Sequence, residues 1–212
     1  MDNTTSMQAL HKLGFLHQIR LVPLFSSILG GILLLFALSS GLASYFLMQA
    51  DRDQRDVTDE IQVRMGLSNS SNHLRTARIN MIHAGAASRI AEMDDMKANI
   101  AEAEKRIKQS QEGFNAYMAR TVKTSADEAL DAELSASFKA YTDGLQPMLK
   151  YAKNGMFEAI INHENEQARP LDSAYNKVLL KAIDIRTARA NQLSEQAHQR
   201  TQLGMALSLI HI

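Results

Sequence analysis

LVPLFSSILGGILLLFALSSGLASYFLMQA, residues 21–50, contains 30 consecutive residues without a charge, bounded by Arg20 and Asp51. Its centre, Ile28 to Leu38, is almost wholly aliphatic. A bilayer core roughly 30 Å thick needs about 20 apolar residues in a helix, so the run is long enough to span with some tilt. Tyr45 and Phe46 stand near its far end, where aromatic rings favour the headgroup region. A cleaved signal peptide is the competing reading, with Gly41-Leu42-Ala43 as the small-x-small site. The apolar core of such a peptide is only about 7–15 residues, and this run continues past that site into Tyr45-Phe46-Leu47. An uncleaved anchor fits better. Lys12, Arg20, His11 and His17 precede the span against the single acid Asp2, whereas Asp51-Arg52-Asp53 follows it. The basic flank places residues 1–20 in the cytoplasm as a short tail and the chain after residue 50 outside.

Outward from the span, the composition favours helix. The 212 residues include 3 Pro, 10 Gly, 11 Met and no Trp, too few turn formers for a many-stranded fold. Cysteine is absent, which excludes a disulfide scaffold, Cys-ligated zinc or iron–sulfur, a thiol nucleophile and CxxCH haem attachment. Lys+Arg and Asp+Glu balance at 23 each, giving no basic footprint for nucleic acid.

Residues 51–203 read as an all-α, antiparallel, up-down-up-down four-helix bundle whose first helix continues directly from the membrane helix. That helix extends to about residue 91, and a turn is expected at Glu92-Met93-Asp94-Asp95. Met96, Ile100, Ala103 and Ile107 form the apolar seam of a second helix ending near Ala119. Ser125 with Glu128 reads as a capping box that opens the third helix. Ala129, Leu134, Phe138, Tyr141, Leu145, Met148 and Leu149 are its inward positions, and Pro147 is a point where it can kink. Asn154-Gly155 is the strongest breaker, followed by a short helix and then a fourth helix with Pro170 in its first turn. Leu171, Tyr175, Val178, Ala182 and Ile185 mark the buried stripe of that helix. Hairpin connections are thus expected at 92–95 and 154–169 away from the membrane, with 120–125 near it. Residues 204–212 look like the start of a second span that the chain does not complete.

The first helix carries two stripes. Leu67, Ser70, Leu74, Ala77, Met81, Ala84 and Ser88 alternate by three and four, a seam suited to a symmetric dimer contact. Beside it, Arg75, Arg78, Ile82, Gly85 and Arg89 fall within about an 80° arc at 100° per residue. Guanidinium forks grip carboxylates and polar partner surfaces, so this stripe is the candidate recognition face. The plainer alternative, strongest for Arg75, is that the arginines pair with acids of the bundle. His73, His83 and His163 form no His-x-x-x-His or His-Glu-x-x-His pair, so no metal site is expected. Nucleotide and nucleophile-elbow motifs are absent, and neither a cofactor nor an enzymatic activity is expected.

Several longer runs carry a resemblance. Leu13-Gly14-Phe15-Leu16-His17 through the span to Asp53-Gln54-Arg55-Asp56, Ala77-Arg78-Ile79-Asn80-Met81-Ile82, Ala84-Gly85-Ala86-Ala87-Ser88-Arg89, and Met148 through Phe157 together resemble bacterial methyl-accepting chemotaxis receptors. The similarity is greatest to the ribose and galactose members and extends to about Gly204. It implies a homodimeric periplasmic bundle in the inner membrane, between two spans. A cytoplasmic rod that reaches the kinase and adaptor would follow, and this chain lacks it. In the aspartate-binding relatives, an Arg-Ile-Asn motif supplies the arginine that binds the ligand carboxylate. It aligns with Arg78 and Asn80, while two further ligand arginines fall on His83 and Ala87. Asn162 and Glu164 likewise replace the expected Gln and Thr, so the amino-acid pocket is not preserved.

Receptors of the ribose and galactose kind instead read ligand-loaded sugar-binding proteins of the periplasm. By that likeness Arg78, Asn80, Arg89, Arg75, Gly85 and the turn at Gly155 are the candidate partner-binding residues. Docking would move the fourth helix and carry the signal inward. The sensor of a membrane-bound histidine kinase or cyclase is the alternative.

Overall fold

The structure, a computed structural model, describes residues 21–209; the expected cytoplasmic tail and the last three residues lie outside that range. Five helices account for nearly all of it: α1 Leu21–Arg89, α2 Met93–Met118, α3 Ser125–Lys153, α4 Phe157–His163 and α5 Arg169–Leu209. A π-helical turn, Glu164–Ala168, joins α4 to α5, so these two form a single rod. Counted this way, the described residues form four helical rods, and the fold is all-α.

The chain divides into two compact units. Among the described residues, one comprises 21–52 together with 198–209. Most of its α1 segment is bare of protein contact: Val22, Phe25, Ile28, Leu35, Phe36 and Leu47 are all exposed, while Phe46 is partly covered. Water would oppose such a surface, whereas lipid tails cover it without penalty. Gly204 lies against Phe46, where a Cβ would come 3.1 Å from the ring, so a side chain at 204 would require the ring to give by a few tenths of an ångström.

The second unit, Asp53–Ala197, is the bundle. Its antiparallel order is visible in the contacts between rods. Ser70 Oγ donates to the Ser110 carbonyl at 2.7 Å, joining α1 to α2. Phe114 stacks on Phe138 with centroids 3.8 Å apart, and Phe138 meets Tyr175 edge-on at 5.6 Å, joining α2 to α3 and α3 to α5. Arg75 bonds Asp172 and closes the ring from α1 to α5. Leu67, Leu74, Ala77, Met81 and Ala84 are fully buried in this core. The first seam of α1 is therefore consumed inside one bundle. Its expected use as a dimer contact is corrected, because the other three rods of the bundle already cover it.

The connections are tighter than the sequence suggested. The first turn occupies residues 90–92, with Ala91 at φ 63°, and Asp94 and Asp95 lie inside the first turn of α2, where carboxylates complement the helix dipole. The capping box is one residue earlier than expected: Thr124 is the N-cap, its Oγ1 accepting from Asp127 N at 3.2 Å while Asp127 Oδ2 accepts from Thr124 N at 2.7 Å. Asp at the third helical position closes the box as well as Glu would, and Thr124 has the extended backbone a cap needs.

Pro147 lies inside a helix that runs unbroken from Ser125 to Lys153. The second hairpin closes at 154–156, not across 154–169, with Gly155 in the left-handed region at φ 65°. Pro170 does not begin a new helix after a loop. It directly follows the π turn, which widens the helix where proline has no N–H to donate to the Glu166 carbonyl.

Inward positions mostly hold, with two informative exceptions. Ala129 is exposed while Asp127 is buried, and Ile185 is only partly covered while Arg186 is fully buried. Both exceptions belong to one ionic cluster at the end of the bundle that contains the 119–124 loop. Arg186 reaches Glu60 at 2.7 Å, Asp127 at 2.5 Å and the Val122 carbonyl at 3.1 Å. Arg189 adds a bond to Glu60 at 2.8 Å, and Arg120, lying over the Tyr117 ring, reaches Asp131 at 2.6 Å. α1, the loop, α3 and α5 are thereby fastened at a single point. Burial opposes the charge on Asp127, but the Thr124 hydrogen bonds together with Arg186 and Arg120 outweigh it and hold the carboxyl below its usual range.

Candidate functional site

The arginine stripe of α1 divides into two environments once the partners are in place. Arg75 and Arg78 face α5 and the π turn. Arg75 Nε donates to Asp172 at 3.1 Å and its Nη2 to Asn176 at 2.9 Å. Arg78 is deeper, with 11% of its side chain exposed. Its Nε and Nη2 grip both oxygens of Glu164, its Nη1 donates to Tyr141 Oη at 3.1 Å, and Asp172 Oδ2 lies 3.0 Å away. Glu164, with 6% of its side chain exposed, also accepts from Arg169 Nε at 3.3 Å. The result is a network of three guanidiniums, two carboxylates and a phenol, largely buried at Arg78, Glu164 and Tyr141 and reaching solvent at Arg75 and Arg169.

Burial works against the charge on Arg78, and the bonds to Glu164 and Tyr141 more than offset it, raising its pKa further. Burial pushes the Tyr141 hydroxyl up to about 12, tempered by Arg78.

Arg78 is accordingly not a free recognition residue on the surface. Its fork is filled by this chain's own carboxylate. Asn80 does not join it, since two residues along a helix turn the side chain by about 200°. The Asn80 Nδ2 is buried and has no hydrogen-bond partner among the described residues.

Arg89, Gly85 and Gly155 do come together, at the end of the bundle formed by the two tight turns. Gly85 lets α4 approach α1 closely: a Cβ there would come 2.6 Å from Ile160 Cδ1 and 3.0 Å from Phe157 Cδ2. Gly155 packs on Ser88, whose hydroxyl donates to the Gly155 carbonyl at 3.5 Å. These contacts set the Phe157 ring beside the last turn of α1. Arg89 lies 5.1 Å over that ring and 3.3 Å from Glu158, yet 60% of its side chain is exposed. A shallow depression of about 300 Å³ is lined by Arg89, Met156, Phe157, Glu158 and Ala159. Met156 is half exposed at its edge. An exposed cation over an aromatic ring, with an adjacent acid and a thioether, is suited to a protein surface and offers no enclosed volume for a small molecule.

The ionic cluster at the other end has no counterpart among the residues singled out from the sequence, where the charged positions considered were those of the α1 stripe. Register was the signal. Glu60 is seven residues before Leu67, Asp127 seven before Leu134, and Arg186 four after Ala182, each on the apolar stripe of its own helix.

Residues 15–190 match the family described as Tar ligand binding domain homologue. The match spans the span-bearing helix and most of the bundle, and its helical architecture is the one found here. The chain belongs to the Tar ligand-binding-domain family and carries the sensor domain of a chemoreceptor, a ligand-binding receptor fold.

Proposed function

We propose that this chain is the sensing portion of an inner-membrane chemotaxis receptor, with the bundle in the periplasm. It detects sugars of the ribose and galactose class through ligand-loaded binding proteins that dock on the two-turn end. The carrying observation is the exposed Arg89–Phe157–Glu158 surface, shaped by Gly85 and Gly155, set against the occupied fork of Arg78. A receptor whose buried arginine is already paired receives its input on the outside.

A homodimer is part of the reading, through a face of α1 other than the first seam. Met65, Asn69, Asn72, Ile79, His83 and Ile90 are exposed and follow one another at multiples of the three-and-four alternation of a helix pair. Docking across two such bundles favours one arrangement of α5 over another, a shift of about 1–2 Å on the scale usual for interface helices.

Arg89→Glu in the receptor should abolish the tactic response to ribose and galactose while leaving the circular dichroism spectrum unchanged. A wild-type response removes Arg89 from the docking face. Direct binding of free ribose or galactose to the purified chain at low micromolar concentration overturns the docking reading.

A further inference from the structure

We infer that Glu164 is the specificity-determining residue of the Arg78 site: an internal carboxylate that occupies the place of a small free carboxylate ligand and closes the site to one. The geometry is that of a bound ligand. Both oxygens of Glu164 engage Nε and Nη2 of Arg78, the side-on fork that guanidinium uses for carboxylates in general. Tyr141 Oη completes the arginine's donors, and Asp172 lies alongside. Three guanidiniums, those of Arg75, Arg78 and Arg169, share only the two carboxylates of Glu164 and Asp172. Without Glu164 the cluster carries an excess of positive charge inside a largely covered site.

The π turn is the device that delivers this carboxylate. In a π helix, residues five apart lie above one another, so Glu164 and Arg169 meet across the turn. In an α-helix the same pair would point about 140° apart. Pro170 removes the N–H that would otherwise support a regular α turn at this place. Glu164 is thus aimed inward at Arg78 by the local backbone and steadied from behind by Arg169. The inference does not depend on what docks at Arg89.

Glu164→Ala provides the test, because the fragment it removes, a methylene and a carboxylate, has the skeleton of acetate. The full chain is purified in detergent and its thermal midpoint followed at constant ionic strength with sodium acetate, sodium formate or sodium chloride. The variant should melt several degrees below the wild type in chloride. It should recover saturably with millimolar acetate or formate, while the wild type does not respond. Adding Arg78→Gln to Glu164→Ala should abolish the recovery.

No carboxylate-specific recovery, equal recovery in the double variant, or an equal response of the wild type overturns the inference. Glu164→Gln keeps the shape without the charge and serves whether or not the alanine variant folds. A lowered midpoint supports the internal-ligand role, and an unchanged one refutes it.

Discussion

Replacing Arg186 by methionine perturbs the best-connected buried charge in the bundle. Its guanidinium is 1% exposed and serves Glu60, Asp127 and the Val122 carbonyl at once. Breaking a buried pair by removing one partner costs about 3–5 kcal/mol, because the other charge stays behind uncompensated. Two features place this case at the lower end. Glu60 keeps Arg189 at 2.8 Å, and Asp127 keeps the Thr124 amide at 2.7 Å with Arg120 3.5 Å away. The cost should therefore be about 3 kcal/mol, which at 2–4 °C per kcal/mol for a domain of this size lowers the midpoint by about 6–12 °C.

Thermal unfolding followed at 222 nm measures it directly. Glu60→Gln should cost less when added to Arg186→Met than it does alone, because the Arg186 pair it would break is already gone and only the bond to Arg189 remains to be lost. A variant melting within about 2 °C of the wild type would mean that the cluster is solvated and fastens nothing, contrary to its burial.

Gly155→Ala should lower the midpoint by several degrees. The left-handed backbone costs a side chain about 1–2 kcal/mol, and the new Cβ collides with Ser88 Oγ. Adding Ser88→Ala should relieve the collision but not the backbone strain, so only part of the loss returns. Stability should also fall at high pH. Tyr141 is raised from 10.0 to about 12. Below pH 10 it is neutral folded or unfolded, and above 10 the unfolded chain ionises first. The share of Tyr141 in the loss, about 3 kcal/mol, accrues as pH rises from 10 through 12. Burial raises Tyr117 and Tyr175 as well, so Tyr141→Phe should make the decline shallower without removing it when chemical denaturation is repeated across the range.

Local pattern was sufficient for the elements. An uncharged run between Arg20 and Asp51, apolar residues three and four apart, and breakers at Asn154-Gly155 are properties of neighbouring residues, and a helix is a structure of neighbouring residues. The rods, their antiparallel order and most inward positions follow from them. Differences arose where two chemistries competed nearby. The cap moved by one residue because Thr124 and Ser125 both make caps, and the hairpin expected across 154–169 shrank to 154–156 because Pro170 suits a first helical turn as well as the exit of a π turn.

What periodicity could not supply was the partner across the bundle. The α1 seam is equally apolar whether a second copy or α2, α3 and α5 cover it, and only the packed structure assigns it to the core. Arg75, Arg78 and Arg89 share one stripe and one chemistry, yet two are satisfied by Asp172 and Glu164 while the third stays open beside Phe157. A charge is buried or exposed according to whether an opposite charge, distant in sequence, arrives at the same depth. The amino-acid sequence therefore determined the helices, among them one apolar and long enough to cross a membrane, and the tertiary structure decided which arginines of the stripe are paired within the bundle and which stays exposed.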